Sequence, residues 1–455
     1  MGFLILLSFF GLVLAMIYGN SEKRFIILIL GTIFFPTTAL FTKNPSISPQ
    51  HIFLYLFFFL EFWKDRENFD TSVFKNPLSI PILLIFFSYV ATAFFNSGLA
   101  SKDMYYGVRD AIDTFGYLMA AFMAGRKIEI DSLARKLIPV IIIICIFGII
   151  EAMFNANYPY KIVNSAFPIY DGLYNINGDV GLGQSWRTRT CFTTKHPTAF
   201  GTLLTTLFLF YLPYIRKEII AKPKIFLLLA LLSINIVACG SRTAIFCTVV
   251  GTAIYAVEKF SLIAKILVAL VIAFSFSTIV AFMLENFQQG GRGRGSSLDF
   301  RTQQLVFSVM AIENSPIFGN GNKYTANNIL EENDNGAKRA QDDSGTDMGG
   351  LESVVFTLLI DRGAIGLGTY YLLLLWIFII LFIKRNKYPE ISQGFAILAA
   401  GTFYLTLSGT IGNSSSFIFL IIGSQLGTIN RHENEDEDAD EITAEDSDEK
   451  ALPNS

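Results

Sequence analysis

The sequence predicts an all-α, polytopic transmembrane helical bundle. Of its 455 residues 52% are apolar and only 16% are charged, and the apolar residues gather into runs long enough to cross a bilayer. Soluble chains carry about a quarter charged residues, so the excess hydrophobic surface here must face lipid rather than fill one large core.

Apolar runs lie at residues 2–18, 25–42, 51–63, 78–95, 105–124, 138–154, 197–214, 225–239, 243–257, 266–284, 353–383, 393–409 and 412–428. They predict about thirteen spans of the roughly 30 Å hydrocarbon layer. Several are short, notably 51–63 and the pair around Gly240, so tilt or flanking residues must complete them. The first run reads as a span rather than a secretory signal, because no cationic stretch precedes it and no small-residue cleavage site follows.

Every second connection is basic: Lys23 and Arg24; Lys64, Arg66 and Lys75; Arg126, Lys127, Arg135 and Lys136; Arg216, Lys217, Lys222 and Lys224; Lys259 and Lys265; Lys384, Arg385 and Lys387. The positive-inside rule makes these the cytoplasmic loops, with the N-terminus outside and the C-terminal tail inside. Two long segments then fall outside. The expected organisation is N-terminal helices over 1–154, an extracytoplasmic loop over 155–196, helices over 197–284, a second extracytoplasmic loop over 285–352, C-terminal helices over 353–430 and an acidic tail over 431–455. Both outer loops exceed what a chain reversal needs, which marks them as functional. No internal repeat is visible, which weighs against a transporter built from duplicated halves.

The acidic tail masks a basic body. Residues 432–455 hold 11 of the 38 acids and one of the 35 cations, leaving 34 Lys and Arg against 27 Asp and Glu. Such a body suits anionic head groups or a phosphate-bearing substrate, and the tail HENEDEDADEITAEDSDEK reads as a disordered, solvated segment. Cys145, Cys191, Cys239 and Cys247 show no metal or disulfide spacing. No metal, cofactor or nucleic acid is expected.

The residues equipped for chemistry lie in or beside the outer segments. The first long loop ends in SWRTRTCFTTKHPTAFG, which sets Arg187, Arg189, Lys195 and His196 just before the span that starts at Pro197. Arg242 lies in CGSRTA, in the tight turn between two spans. It either snorkels to the head-group level or clamps an anion, since a guanidinium stays charged and its planar fork fits phosphate oxygens.

In the second long loop, residues 298–313 predict a helix that starts near Arg301, carries Leu305, Val309 and Ile312 on one face, and lies on the membrane surface until Pro316 ends it. PIFGNG then makes a turn. The run GGRGRG fits a flexible linker better than a phosphate-cradling nest, and EENDNG and DDSGTD lack the ordered spacing of a calcium loop.

Glu352 opens the next helix, and Asp361 and Arg362 precede Gly363. A carboxylate at the mouth of a membrane helix near arginines is either a general base for a hydroxyl or a structural partner of an arginine. Arg109 and Asp113 are four apart and are expected to pair along their helix, beside Asp110.

Four of these patterns together resemble the bacterial O-antigen polymerase/ligase family, membrane proteins that join sugar units carried on undecaprenyl diphosphate. They are Arg189 eight residues before Pro197, the Ser241-Arg242 pair between two spans, Arg301 at a helix that ends in PIFGNG, and the span leading to RGAIGLG, covering roughly residues 185–375. The resemblance implies a GT-C-like helical fold, no metal, and arginines that hold the lipid diphosphate, here Arg189, Arg242 and Arg301, with Arg187 beside them.

Family ligases usually carry His-Asn eleven residues before the Gly of the last pattern, where this chain has Glu352 and Ser353 before Gly363. That departure tilts the expectation toward a repeat-unit polymerase. Arg242 and Glu352 would then be catalytic, and His196, Asp361 and Arg362 acceptor or support residues. The expected partners are the undecaprenyl-diphosphate-linked oligosaccharide, the bilayer and a chain-length regulator. A ligase that moves finished chains to a lipid core or protein is the nearest alternative. A transporter of lipid-linked sugars is the alternative of another class, and the charges concentrate at span ends rather than along a midplane path.

Overall fold

Helices account for the apolar runs one after another. The computed structural model describes residues 1–36, 39–42, 47–64, 66, 76–98, 102–167, 189–194, 196–257, 304, 307–313, 315–321, 324–325, 330–332, 338–340, 353–388, 391, 393–408 and 415–451, with the backbone alone for Ser97, the two short strands and residues 437–451. In order come α1 (Gly2–Tyr18), α2 (Ser21–Phe34), α3 (Pro49–Lys64), α4 (Ser79–Ser97), α5 (Lys102–Gly125), α6 (Ile130–Phe154), α7 (Tyr158–Asn164), α8 (Pro197–Tyr211) with a 3₁₀ turn (Leu212–Ile215), α9 (Lys222–Ala238) and α10 (Arg242–Val257). After these stand a two-stranded antiparallel ribbon, β1 (Leu330–Glu332) and β2 (Lys338–Ala340), and then α11 (Val354–Lys384), α12 (Gln393–Ser408) and α13 (Ser415–Ala451). The run at 266–284 lies outside the described residues.

Among the described residues, four helical stretches are long and apolar enough by themselves to span a membrane: Ser79–Asn96, Ile130–Phe154, Pro197–Ile215 and Val354–Lys384. α2 is shorter than its apolar run suggests. α2 stops at Phe34, short of the run's end at residue 42, because Pro36 pushes Phe35 into extended backbone at φ −112°. Its 14 residues cover only about 21 Å.

Side-chain bonds sort the helix termini into two ends. At the basic end, the buried Glu61 accepts from Arg24 at 3.1 Å, Lys127 at 2.8 Å and Ser21 at 3.0 Å, joining α2, α3 and the turn after α5. Asp131 of α6 meets Lys217 at 3.1 Å and Tyr214 at 2.8 Å there. At the other end, Thr193 donates to the carbonyl of Ile33, Ser353 donates to that of Thr406 at 2.5 Å, and Tyr404 donates to that of Thr198.

α13 packs along α5 at backbone contact. Gly423 and Gly427 form a Gly-x-x-x-Gly face, and a Cβ at either would strike the backbone carbonyl of Leu118 or Phe122; Gly125 faces the Ser424 carbonyl in the same way. Small residues let apolar helices approach this closely, so dispersion replaces the hydrophobic drive that lipid removes. Gly427→Val is therefore expected to destabilise the purified protein by about 1–3 kcal/mol, read as a lower thermal midpoint in detergent. An unchanged midpoint would deny the close crossing.

One expectation is corrected. The acidic segment continues α13 to Ala451 instead of forming a solvated coil. No Gly or Pro interrupts residues 428–451, the helix is already nucleated by its buried half, and Lys384 and Lys387 pair with Glu433 and Asp436. In the surface helix, described over residues 307–311, the buried side is polar: Gln304 and Ser308 face inward while Val309 and Met310 are exposed. Its apolar side is turned away from the protein, as a lipid-facing surface requires.

Candidate functional site

α9 ends in a left-handed cap. Gly240 adopts φ +61° and its N–H donates to the Val237 carbonyl at 3.1 Å, a conformation that favours glycine. Ser241 then caps α10, its Oγ accepting from the Ala244 N–H at 3.3 Å. Arg242 follows as the first residue of α10 and is exposed. The chain of Arg189 returns to this turn, and its Nη2 donates to the Gly240 carbonyl at 2.5 Å. Two residues span at most about 7 Å, so Arg189 and Arg242 meet at one turn although 53 positions separate them.

The turn that carries Arg189 is held from three sides. Glu151 of α6 accepts from the backbone N–H groups of Cys191 at 3.1 Å and Phe192 at 2.8 Å. Asn157, the cap of α7, donates to the Phe192 carbonyl at 2.5 Å, and Thr193 donates to α2. Phe192 itself stands at φ +51° with its ring among Phe34, Phe147 and Phe200. Burial, reinforced by the Glu151 carboxylate, pushes the Cys191 thiol well up, so this cysteine stays protonated and unreactive.

His196 caps α8: its Nδ1 accepts from the Thr198 N–H at 3.2 Å and lies 2.7 Å from the Thr198 hydroxyl. Tyr404 of α12 reaches the Thr198 carbonyl and also engages Thr202 and Ser241. Ser353 caps α11 and donates to Thr406, which places the start of α11 at the same end as Arg189 and Arg242. Glu352 immediately precedes it, and Glu352, Arg187 and Arg301 lie outside the described residues.

Asp361 and Arg362 form a second group at a break in α11. Gly363 has φ +63° and ψ −159°, which interrupts the helix and frees backbone groups on both sides. The turn at 316–321 takes them up. Asn320 N–H donates to Ile360 at 2.9 Å, Gly321 N–H to Asp361 at 3.1 Å, Ala364 N–H to Pro316 at 2.9 Å and Ile365 N–H to Ile317 at 3.1 Å.

Gly319, at φ +68°, lies so close to the backbone of Asp361, Arg362 and Gly363 that no Cβ would fit. Asn96 and Phe95 of α4 hold the other side of the turn, the first through the Gly319 carbonyl at 3.1 Å and the second by stacking on Phe318. The two sequence patterns PIFGNG and DRGAIGLG are thus halves of one joint.

The side chains at the joint face inward. Asp361 accepts from the Thr325 N–H at 2.7 Å and hydroxyl at 2.5 Å. Arg362 lies 3.3 Å above the Tyr89 ring centre and 3.9 Å from Asp110. Both are 5% exposed, which fits support of the joint rather than contact with an acceptor.

Arg109 pairs with Asp113 at 3.1 Å, and the same carboxylate accepts from Tyr55 at 2.5 Å and meets His51 at 3.3 Å. This group borders a cleft of about 480 Å³ walled by Ile52, Leu56 and Phe59. Among the described residues no three His, Cys, Asp or Glu side chains are grouped to hold a metal.

Glu151, Asn157, Tyr404 and Asn96 are the residues that sequence reasoning passed over. Glu151 had a signal: it is the lone acid in the apolar run 138–154, and an ionisable side chain within a span calls for a reason. Asn157 and Asn96 are ordinary by sequence and owe their roles to distant partners.

Fold and site define a membrane-embedded helical protein that presents two arginines at a helix N-terminus on one end of its bundle. Residues 227–371, about a third of the chain, match the O-antigen ligase family model, which supports the O-antigen polymerase/ligase family for that segment. The matched segment takes in Gly240, Ser241 and Arg242, the turn at 316–321 and the break at Gly363, and leaves Arg189 outside it. The match supports an O-antigen ligase or polymerase-type activity in surface polysaccharide assembly. No curated protein matches the chain.

Proposed function

We propose that the chain is a metal-independent membrane glycosyltransferase that polymerises surface polysaccharide from undecaprenyl-diphosphate-linked repeat units at the outer face of the inner membrane. The observation that carries this reading is the shared turn of Arg189 and Arg242. Two guanidinium groups and the N-terminus of α10 gather positive charge at one membrane boundary, where a diphosphate would be gripped.

In the reaction, the bond between the anomeric carbon and the diphosphate oxygen breaks as a bond to an acceptor hydroxyl forms. Negative charge grows on the departing undecaprenyl diphosphate, and Arg189 and Arg242 stabilise it, with Arg187 and Arg301 assisting. Glu352 takes the acceptor proton, and Ser353 anchors the helix start beside it. Asp361 and Arg362 hold the joint of α11, and His196 caps α8. A chain-length regulator would act as a partner.

The ligase reading has its own support, because the matched family model is described as O-antigen ligase. Glu352-Ser353, in place of the His-Asn usual in family ligases, favours the polymerase.

A deletion strain separates the two. Loss of a polymerase leaves single repeat units on the final acceptor, whereas loss of a ligase leaves long chains on the lipid carrier. Wild-type full-length protein in proteoliposomes, given lipid-linked repeat units alone, is expected to yield a ladder of longer products. Absence of any ladder, together with long carrier-bound chains in the deletion strain, would replace the polymerase by the ligase.

A further inference from the structure

Glu151 is a carboxylate placed where carboxylates are expensive. It sits near the end of the 25-residue apolar helix α6, is 3% exposed, and meets no cation among the described residues. Its two oxygens instead accept from consecutive backbone N–H groups, Oε1 from Cys191 at 3.1 Å and Oε2 from Phe192 at 2.8 Å. Consecutive N–H groups converge on one anion only when the backbone folds into a concave nest, and the left-handed Phe192, at φ +51°, provides that fold. An αL conformation is unfavourable for a bulky residue, so something must hold it. The carboxylate fills the nest from α6, while Asn157 pins the Phe192 carbonyl from α7.

The consequence falls on Arg189, two residues before Cys191. Thr190, between them, is fully buried and donates to the Ala238 carbonyl at 3.5 Å, which lays this strand of chain against the end of α9. The nest sets where Arg189 leaves the backbone, and the α9 cap sets where its guanidinium lands, on Gly240. We propose that Glu151 is a positioning residue for the anion clamp: by filling the Cys191–Phe192 nest it aims Arg189 at the turn that bears Arg242. This rests on the reading of Arg189 as a diphosphate ligand.

Glu151→Gln retains the size of the side chain but turns an amide N–H₂ toward one of the two N–H donors. Losing one charge-assisted acceptor and setting donor against donor corresponds to about a tenfold loss in binding that depends on the nest. The test uses full-length protein in proteoliposomes. It measures binding of undecaprenyl diphosphate, and KM and kcat with lipid-linked repeat units, in Glu151→Gln, Glu151→Asp, Arg189→Ala and the double variant Glu151→Gln/Arg189→Ala.

The expected result is a rise of about tenfold in Kd and KM for Glu151→Gln with a smaller change in kcat, partial recovery in Glu151→Asp, and no further loss when Glu151→Gln is added to Arg189→Ala. Multiplying losses in the double variant would assign Glu151 to general stability and overturn the proposal. Wild-type affinity in Glu151→Gln would do the same. Should Glu151→Gln fail to fold, Glu151→Asp carries the test, with an intermediate Kd in its favour and an unchanged Kd against it. If Arg189→Ala binds undecaprenyl diphosphate as wild type does, the clamp itself is wrong; if Arg189→Ala loses binding and Glu151→Gln does not, only the role of Glu151 falls.

Discussion

Replacing Arg242 by alanine is expected to slow transfer from lipid-linked repeat units by about 10²- to 10³-fold, the effect of removing one fixed donor aimed at developing negative charge. Arg242 stands exposed at the first position of α10, so the change removes charge from the site without opening a cavity in the bundle. The thermal midpoint should stay near that of the wild type. Arg242→Lys separates charge from geometry: an ammonium keeps the point charge but cannot form the planar fork, so its rate should fall between the two. Initial rates in proteoliposomes at saturating substrate decide the matter. A wild-type rate for Arg242→Ala would remove this residue from the clamp and leave the head-group snorkel as its role.

Glu61→Ala should be the most damaging single change to stability, at about 3–5 kcal/mol. The Glu61 side chain is fully buried, and Arg24 and Lys127 approach it at 3.1 and 2.8 Å. Removing the carboxylate strands two cations at the basic end, one of them 10% exposed, where water reaches poorly. Arg24 also donates to the carbonyls of Met16 and Ile17, so the loss would loosen α1 along with α2 and α3. Thermal unfolding in detergent should show a large drop for Glu61→Ala and a smaller one for Glu61→Ala/Arg24→Met, which removes one stranded charge together with its partner. Equal midpoints for wild type and Glu61→Ala would mean that this cluster is solvated and contributes little.

Much of the architecture was legible in the residue order. The apolar runs predicted helices with boundaries near those observed, as at Pro197–Tyr211 and Arg242–Val257, because crossing hydrocarbon demands a contiguous apolar segment. The proline at 36 shortened α2, a local effect that the run alone did not register. The acidic tail read as coil because its composition forbids a core of its own. It is helical because the buried half of α13 supplies a template and the basic turn after α11 supplies counter-charges.

The site divides the same way. Arg189, Ser241 and Arg242 stood out by residue type and by position at span starts. Glu151 stood in plain view within an apolar run, yet its target, a pair of backbone N–H groups 40 and 41 residues away, is invisible to any pattern of side chains. The patterns PIFGNG and DRGAIGLG were each recognisable, but only the fold shows that the first repairs the broken hydrogen-bond ladder of the second.

Sequence by itself therefore determined that this is a helical membrane protein, where its helices lie, which termini are basic and which arginines stand at span starts. These follow from transfer energies that sum along the chain and from charges that cannot enter hydrocarbon. Tertiary structure alone decided that Arg189 reaches Gly240 across 51 positions, that Asp361 and Arg362 turn inward at the joint, and that Gly423 and Gly427 bring α13 against α5. Those outcomes depend on close packing and on pairing of backbone groups freed at helix ends and breaks, which bind partners by position in space rather than by place in the chain.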